Sequence, residues 1–214
     1  MKQIEKIIKA SIKYSDSKGD QKDFYNLVAY AAKTPKIADQ PPFLEIGTRR
    51  GGSALALLKV IEALYPDTVL VTVDPYGNKP YDSKPWKYGD DFYVEMKNLL
   101  ASYENHIHYH MTSEDFLDIL DQVHYWSQRK EHDFSRFSFI FLDGSHLPEN
   151  ILFEFENLLP LLIKGGYLVI DNTDFYEKKI QKHFSSAKNP HLEVTNTKNQ
   201  TIIKKWCKPT KQTE

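Results

Sequence analysis

The chain is predicted to fold as a doubly wound α/β domain, a mostly parallel sheet of seven strands with helices on both faces. Three observations predict it. Four apolar runs, at residues 43–46, 69–73, 137–142 and 167–170, are nearly unbroken, as strands buried on both faces of a parallel sheet are. Stretches of helical periodicity separate them. Each run also ends on glycine or polar residues: Gly47 after the first, Asp74 after the second, Asp143 after the third and Asp171-Asn172 after the last. That carboxyl edge is where open α/β sheets bind ligands.

The elements follow in order. Ile4, Ile7, Ile8 and Ile12 recur at helical spacing, which predicts an amphipathic helix over residues 2–14. The polar run 15–20 breaks it, and Phe24, Leu27, Val28 and Ala31 mark a second helix. Pro41 and Pro42 stiffen the entry to the first strand, because proline disfavours helix in the residue before it. Residues 53–63 read as the helix after a glycine turn, and 69–73 as the second strand. The segment 74–91 is dense in Pro, Gly and Tyr and too long for a routine connection, so it is expected to act as a lid. Its aromatics, Tyr76, Tyr81, Trp86 and Tyr88, with Phe92 and Tyr93 just beyond, are a candidate wall for a substrate.

Residues 92–102 return to helix, 107–111 form a short third strand, and a helix opens at Ser113 with acids in its first turn. The run QRKEHD at 128–133 is expected to be a polar surface loop. The fourth strand leads into a helix over 149–163 that Lys164-Gly165-Gly166 ends. After the fifth strand, a helix over 176–184 and strands near 192–196 and 201–206 complete the pattern. The last two strands lie close enough for an antiparallel hairpin at the sheet edge. Residues 1–40 are expected to form a helical cap over the site, 41–208 the α/β domain and 209–214 a tail. No internal repeat or low-complexity tract is present.

Composition narrows the function classes. A net charge of -1 and a pI near 6.7 offer no basic surface for nucleic acid or acidic lipid. The single cysteine, Cys207, excludes an internal disulfide and fits a reducing compartment. The charged N-terminal stretch reads as neither signal peptide nor membrane span. The expectation is a cytoplasmic protein with no nucleic-acid or membrane partner; homo-oligomerisation stays open.

Three ligand classes use a glycine turn after the first strand. A dinucleotide fingerprint needs a glycine where Arg49 stands, and a phosphate-cradling P-loop needs a lysine where this chain has Ser53 after Gly52. The pattern that remains, Glu45-x-Gly47-x-x-x-Gly51, resembles the first motif of class I S-adenosylmethionine-dependent methyltransferases, whose fold is Rossmann-like. A tight strand-to-helix turn also needs glycine for its own sake. Asp74, about 20 residues past the glycine turn, stands where an acid can hold ribose hydroxyls; an Asp-Pro turn is the plainer alternative. The resemblance implies cofactor contacts from Glu45, Gly47, Thr48, Gly51 and Ser53, from Asp74, Pro75 and Tyr76, and from Asp143. Ser113 and Glu114 match the place where this fold contacts adenine, although Ser113 is also a natural helix N-cap.

Asp143, Asp171 and Asn172 present three oxygen ligands from two strand ends, the donor set of a hard divalent cation. The arrangement resembles the metal-dependent small-molecule O-methyltransferases of the catechol and caffeoyl-coenzyme A types. Those enzymes carry a lysine three residues after the first ligand; this chain has His146. The Asp-Gly-x-His form is closer to macrolide, sugar and cephalosporin-biosynthesis methyltransferases. The resemblance implies methyl transfer from S-adenosylmethionine to an oxygen of a small-molecule acceptor, with Mg2+ or another divalent cation bound. His146, with an ordinary pKa near 6.5, suits a general base, or else only bonds a loop. His106, His108 and His110 are expected at the surface or at strand ends without a role. Arg49 and Arg50 either meet an anionic acceptor or are solvated. A metal-independent N- or carboxyl-methyltransferase and a non-catalytic cofactor-binding protein stay open as alternatives, and the missing glycine at 49 disfavours an oxidoreductase.

Overall fold

A computed structural model of the chain describes residues 2–14, 21–77, 89–127, 130–173 and 192–206. The chain begins with α1 (Lys2–Ser11), a 3-10 turn (Ile12–Tyr14) and α2 (Gln21–Ala31). Then come β1 (Phe43–Ile46), α3 (Gly52–Leu64), β2 (Leu70–Val73), α4 (Asp90–Leu100), β3 (His106–Tyr109) and α5 (Ser113–Ile119). A hairpin, β4 (His124–Ser127) and β5 (Lys130–Asp133), precedes β6 (Phe137–Leu142) and α6 (Pro148–Leu158). A 3-10 turn (Leu159–Leu161), β7 (Leu162–Ile170), β8 (Leu192–Asn196) and β9 (Thr201–Lys205) follow.

Seven strands form one sheet in the order β3-β2-β1-β6-β7-β9-β8. The first five of these are parallel to their neighbours, and β9 pairs antiparallel with both β7 and β8. From central β1 the chain steps outward to β2 and β3, then returns to the other side at β6. The switch point therefore lies between β1 and β6, and their carboxyl ends are where a sheet of this kind binds ligands.

Alternation along the strands builds two cores. Phe43, Leu70, Phe139, Phe141, Tyr167, Val169 and Ile202 face one layer, packed against α1, α2, α3 and α4. Leu44, Ile46, Val71, Val73, Ile140, Leu142, Leu168, Ile170 and Ile203 face the other, against Phe116 of α5 and Ile151, Phe155 and Leu158 of α6. Each such side chain contributes about 1.5–3 kcal/mol on full burial. α3 is apolar nearly all round because the sheet covers one side and α1 and α2 the other. The Tyr65 hydroxyl donates to the Thr34 carbonyl at 2.7 Å and ties down the segment after α2. From α2, Asp23 also accepts the Asn199 amide at 2.9 Å, while the Asn199 carbonyl accepts Thr173 N–H at 2.8 Å. The N-terminal helices thus hold the β8–β9 turn directly behind the end of β7.

Four expectations are corrected. Residues 130–133 are not a loop but β5, paired antiparallel with β4 in a separate two-stranded sheet. A two-stranded ribbon satisfies its backbone by mutual pairing, so it needs no apolar stripe, and its polar composition hid it. The helix after β6 stops at Leu158 rather than 163, because Pro160 follows in the 3-10 turn and cannot supply an N–H to continue it. Lys164-Gly165-Gly166 accordingly lies inside β7, where a Cβ on Gly166 would stand 2.7 Å from the Ser138 carbonyl oxygen. The third strand is His106–Tyr109 rather than 107–111. The helix expected over 176–184, and Tyr81, Trp86 and Tyr88 of the expected lid, lie outside the described residues.

The fourth correction concerns histidines. His106 and His108 are half-buried, flanking the hydroxyl of fully buried Thr72 at 2.9 Å each. Burial lowers His106 to about 4, and burial with the neighbouring His106, His110 and Lys97 lowers His108 to about 3. A histidine whose folded pKa is depressed stabilises the fold above its unfolded pKa of about 6.5 and loses that contribution as pH falls. The contribution of these two histidines to folding stability is therefore expected to decline from about pH 6.5 toward pH 4. Replacing both residues with glutamine should flatten that limb by about 2 kcal/mol in urea titrations; an unchanged acid limb would refute the assignment.

Candidate active site

β1 delivers the chain into the glycine turn, and backbone packing sets the turn's shape. Gly47 has φ +88, and a Cβ there would overlap the carbonyl of Asp143 and lie 2.6 Å from Gly144 Cα. Gly51 caps α3 at φ +84, where a Cβ would meet the Met96 side chain at 3.1 Å. Both glycines therefore serve strand and helix packing, whatever else they admit. Backbone bonds continue the sheet up to the site: Gly47 N–H donates to Val73, Asp143 N–H to Ile46 and Asp171 N–H to Leu142, each at 2.9 Å.

Glu45 is fully buried beneath this turn, and neither carboxylate oxygen has a hydrogen-bond partner among the described residues. Burial pushes its carboxyl up to about 8; the nearby Ser53 and Thr48 hydroxyls oppose this without closing a bond, and the Asp143 and Asp74 charges add to it. Thr48 is also buried, with its hydroxyl unbonded among the described residues. The turn thus covers a carboxyl whose ionised form lacks a cationic partner among the described residues.

Asp74 does not stand open to the cleft. Its Oδ2 accepts Thr48 N–H and Arg49 N–H, both at 2.9 Å, and its Oδ1 accepts Tyr76 N–H at 3.0 Å. Burial raises its pKa, against the pull of those three N–H groups and of His110. Pro75 is half-buried. Tyr76 turns inward to 2% exposure, donates its hydroxyl to the Arg49 carbonyl, and packs its ring on Tyr93, His108 and His110. Ser113 donates to Glu154 of α6 at 2.7 Å, so it is not the cap of α5; Thr112 is, accepting Asp115 N–H at 3.1 Å. Glu114 is exposed. The Arg50 guanidinium lies 4.2 Å over the Phe92 ring and 3.1 Å from Glu95, with Arg49 5.6 Å over the same ring. Both arginines are thereby directed to the start of α4, a contact that only the folded chain reveals.

Across the switch point, β6 and β7 bring Asp143, His146, Asp171 and Asn172 together. The Asn172 amide nitrogen lies 3.1 Å from His146 Nε2, 3.1 Å from Asp171 Oδ2 and 3.4 Å from Asp143 Oδ1. His146 Nε2 is 3.9 Å from Asp143 Oδ1. Asn172 holds this position at φ +53, left-handed backbone that asparagine tolerates better than most residues. The donor set, two carboxylates and an amide, suits a hard cation. Among the described residues, no group of three His, Cys, Asp or Glu side chains is arranged to hold a metal ion. The Asn172 amide nitrogen instead occupies the centre, within hydrogen-bond reach of both carboxylates and His146.

A sheet stepping outward from β1, a glycine turn into α3, acids at three strand ends and an antiparallel β8–β9 edge together define a Rossmann-like methyltransferase fold. The chain belongs to the family described as a methyltransferase domain, which matches residues 44–173. The rhamnosyl O-methyltransferase of Mycobacterium tuberculosis (strain ATCC 25618 / H37Rv) is 27% identical over 131 residues, 61% of this chain. The match covers 45% of that relative, so the chain spans less than half the length of the curated relatives it matches. Among solved structures, the O-methyltransferase NovP superposes with a TM-score of 0.67 at 13% identity, covering 95% of this chain and 98% of NovP. TomG from Streptomyces achromogenes, an O-methyltransferase solved with SAM, gives 0.61 at 19% identity over 97% and 91% of the two chains. The O-methyltransferase from Bacillus cereus, solved with SAH, gives 0.60 at 16% identity over 95% and 90%. No helix among the described residues is long and apolar enough to cross a membrane.

Proposed function

We propose that the protein is an S-adenosylmethionine-dependent O-methyltransferase acting on a small hydroxylated molecule. The observation that carries this reading is the pairing, across one switch point, of the Glu45 and Asp74 glycine turn with the Asp143, His146, Asp171 and Asn172 cluster. Family membership supports the methyl donor. The name of the mycobacterial relative points to a sugar hydroxyl as the acceptor class. Glu45 would face the cationic part of the donor, Asp74 its ribose through whatever lone pairs the loop amides leave, and the Ser113–Glu114 segment its adenine.

The sulfonium makes the methyl group electrophilic, so the protein mainly supplies alignment and a deprotonated acceptor. Alignment alone can be worth roughly 7–11 kcal/mol. His146 Nε2 would take the proton of the acceptor O–H, and bound S-adenosylmethionine would supply the electrophilic methyl group to that oxygen. In the observed arrangement the Asn172 amide nitrogen lies 3.1 Å from Nε2, which favours the Nδ1–H tautomer; the acceptor O–H would replace that N–H at Nε2 to hand over its proton.

Asp143, Asp171 and Asn172 would hold a divalent cation such as Mg2+, with Asn172 offering its amide oxygen. A cation there would lower the pKa of a bound acceptor hydroxyl and fix its orientation. The Asn172 amide already bridging both carboxylates favours a second reading, metal-free transfer with His146 as sole base. Chelation separates the two. Methyl transfer to a rhamnose-bearing acceptor is expected to fall to background in excess EDTA and to return with added Mg2+. Transfer that survives chelation would leave the metal-free reading.

A further inference from the structure

We propose that Tyr76 is a positioning residue whose hydroxyl latches the glycine turn into its cofactor-binding shape, rather than a cofactor contact; this rests on the S-adenosylmethionine reading above. Arg49 stands in the turn at φ +48 and Tyr76 follows β2 at φ +39. Left-handed backbone is disfavoured for side chains of this bulk and persists only where the surroundings over-determine it. Here the two unfavourable residues hold each other. Arg49 N–H donates to Asp74 and the Arg49 carbonyl accepts the Tyr76 hydroxyl, so both polar groups of the Arg49 backbone are gripped by one three-residue segment. Thr48 N–H on the same Asp74 oxygen adds a third bond, and Tyr76 N–H on the other oxygen closes the segment on itself.

The ring is placed to hold that hydroxyl still. At 2% exposure it leaves no face for a ligand, and Tyr93, His108 and His110 lie around it at ring-centre distances of 5.2, 5.5 and 5.6 Å. A turn fixed in advance does not have to be ordered when the cofactor arrives, which raises affinity without any new contact. The latch also lets arginine stand at position 49 in left-handed backbone, a conformation that glycine would adopt freely.

Tyr76→Phe keeps the ring and removes the latch. Tyr65→Phe is the matched control, since Tyr65 is 4% exposed and also donates its hydroxyl to backbone carbonyl, that of Thr34, away from the glycine turn. Both variants are expected to melt lower than wild type without ligand. Calorimetric titration with S-adenosylhomocysteine should then show about tenfold weaker binding for Tyr76→Phe, the size of one lost hydrogen bond, and unchanged binding for Tyr65→Phe. Wild-type affinity in Tyr76→Phe, or equal weakening in both variants, would overturn the latch. Wild-type protein that binds no S-adenosylhomocysteine would overturn the cofactor reading itself and the latch with it. If Tyr76→Phe does not fold, hydrogen exchange on the ligand-free wild type decides. The Thr48 and Arg49 amides should be protected like those of β1, and exchange at open-loop rates would overturn the proposal.

Discussion

Glu45→Gln is expected to make the ligand-free protein more stable while weakening its hold on S-adenosylmethionine. The Glu45 carboxyl moves from 4.5 to about 8 on folding, chiefly through burial. An acid whose folded pKa is raised contributes its stability below the unfolded pKa and loses it as pH rises toward the folded one. The Glu45 contribution to wild-type stability should therefore fall between about pH 4.5 and pH 8, and glutamine, the shape of the protonated acid, removes that descent. At pH 7 the gain is about 2–4 kcal/mol, which for a chain of this size is roughly 5–10 °C in melting temperature. Cofactor affinity should drop about tenfold or more, the range of a charge-assisted contact. The measurement is a pair of melting curves at pH 5 and pH 8, where the His106 and His108 contribution is common to both proteins. A gap that does not widen with pH would show that Glu45 is not the titrating group.

The second large effect is on turnover. His146→Ala should lower methyl transfer by roughly 10²–10⁴-fold, the usual worth of a positioned general base, with S-adenosylhomocysteine affinity nearly unchanged. The separation follows from the geometry: His146 meets Asn172 and Asp143 on the β6–β7 side, while the glycine turn is anchored by Asp74 on the β2 side. Rates measured with a sugar acceptor, alongside calorimetry, test both halves. A loss smaller than about tenfold would remove His146 as the base and throw deprotonation onto a cation at Asp143 and Asp171.

The strands that hold the site were legible because burial on both faces leaves a continuous apolar run, as in β1, β2 and β6. The placement of polar residues at strand ends was legible for the same reason. Once β6 and β7 are neighbours, Asp143, His146, Asp171 and Asn172 must converge, and they do. Illegible features depended on partners far along the chain. Ser113 meets Glu154, 41 positions away, and His106 and His108 are drawn inward by Thr72, more than 30 positions earlier. Nothing local distinguishes those histidines from exposed ones. The sequence around Tyr76 reads as a turn, but which way its ring points depends on one backbone angle. β5 escaped because its polar sequence carries no apolar pattern, and its pairing with β4 shows only in the fold.

The contrast between Gly47 and Glu45 bears on how a lineage of such proteins would age once selection on catalysis lapsed. Gly47 is demanded by the backbone of Asp143 and Gly144, so a descendant that had become a pseudoenzyme would keep it simply to fold. Glu45, buried and without a hydrogen-bond partner among the described residues, is a burden on the empty fold, and drift would replace it early with a neutral residue. The buried acid, rather than the glycine signature beside it, is therefore the better marker of a working member among distant relatives.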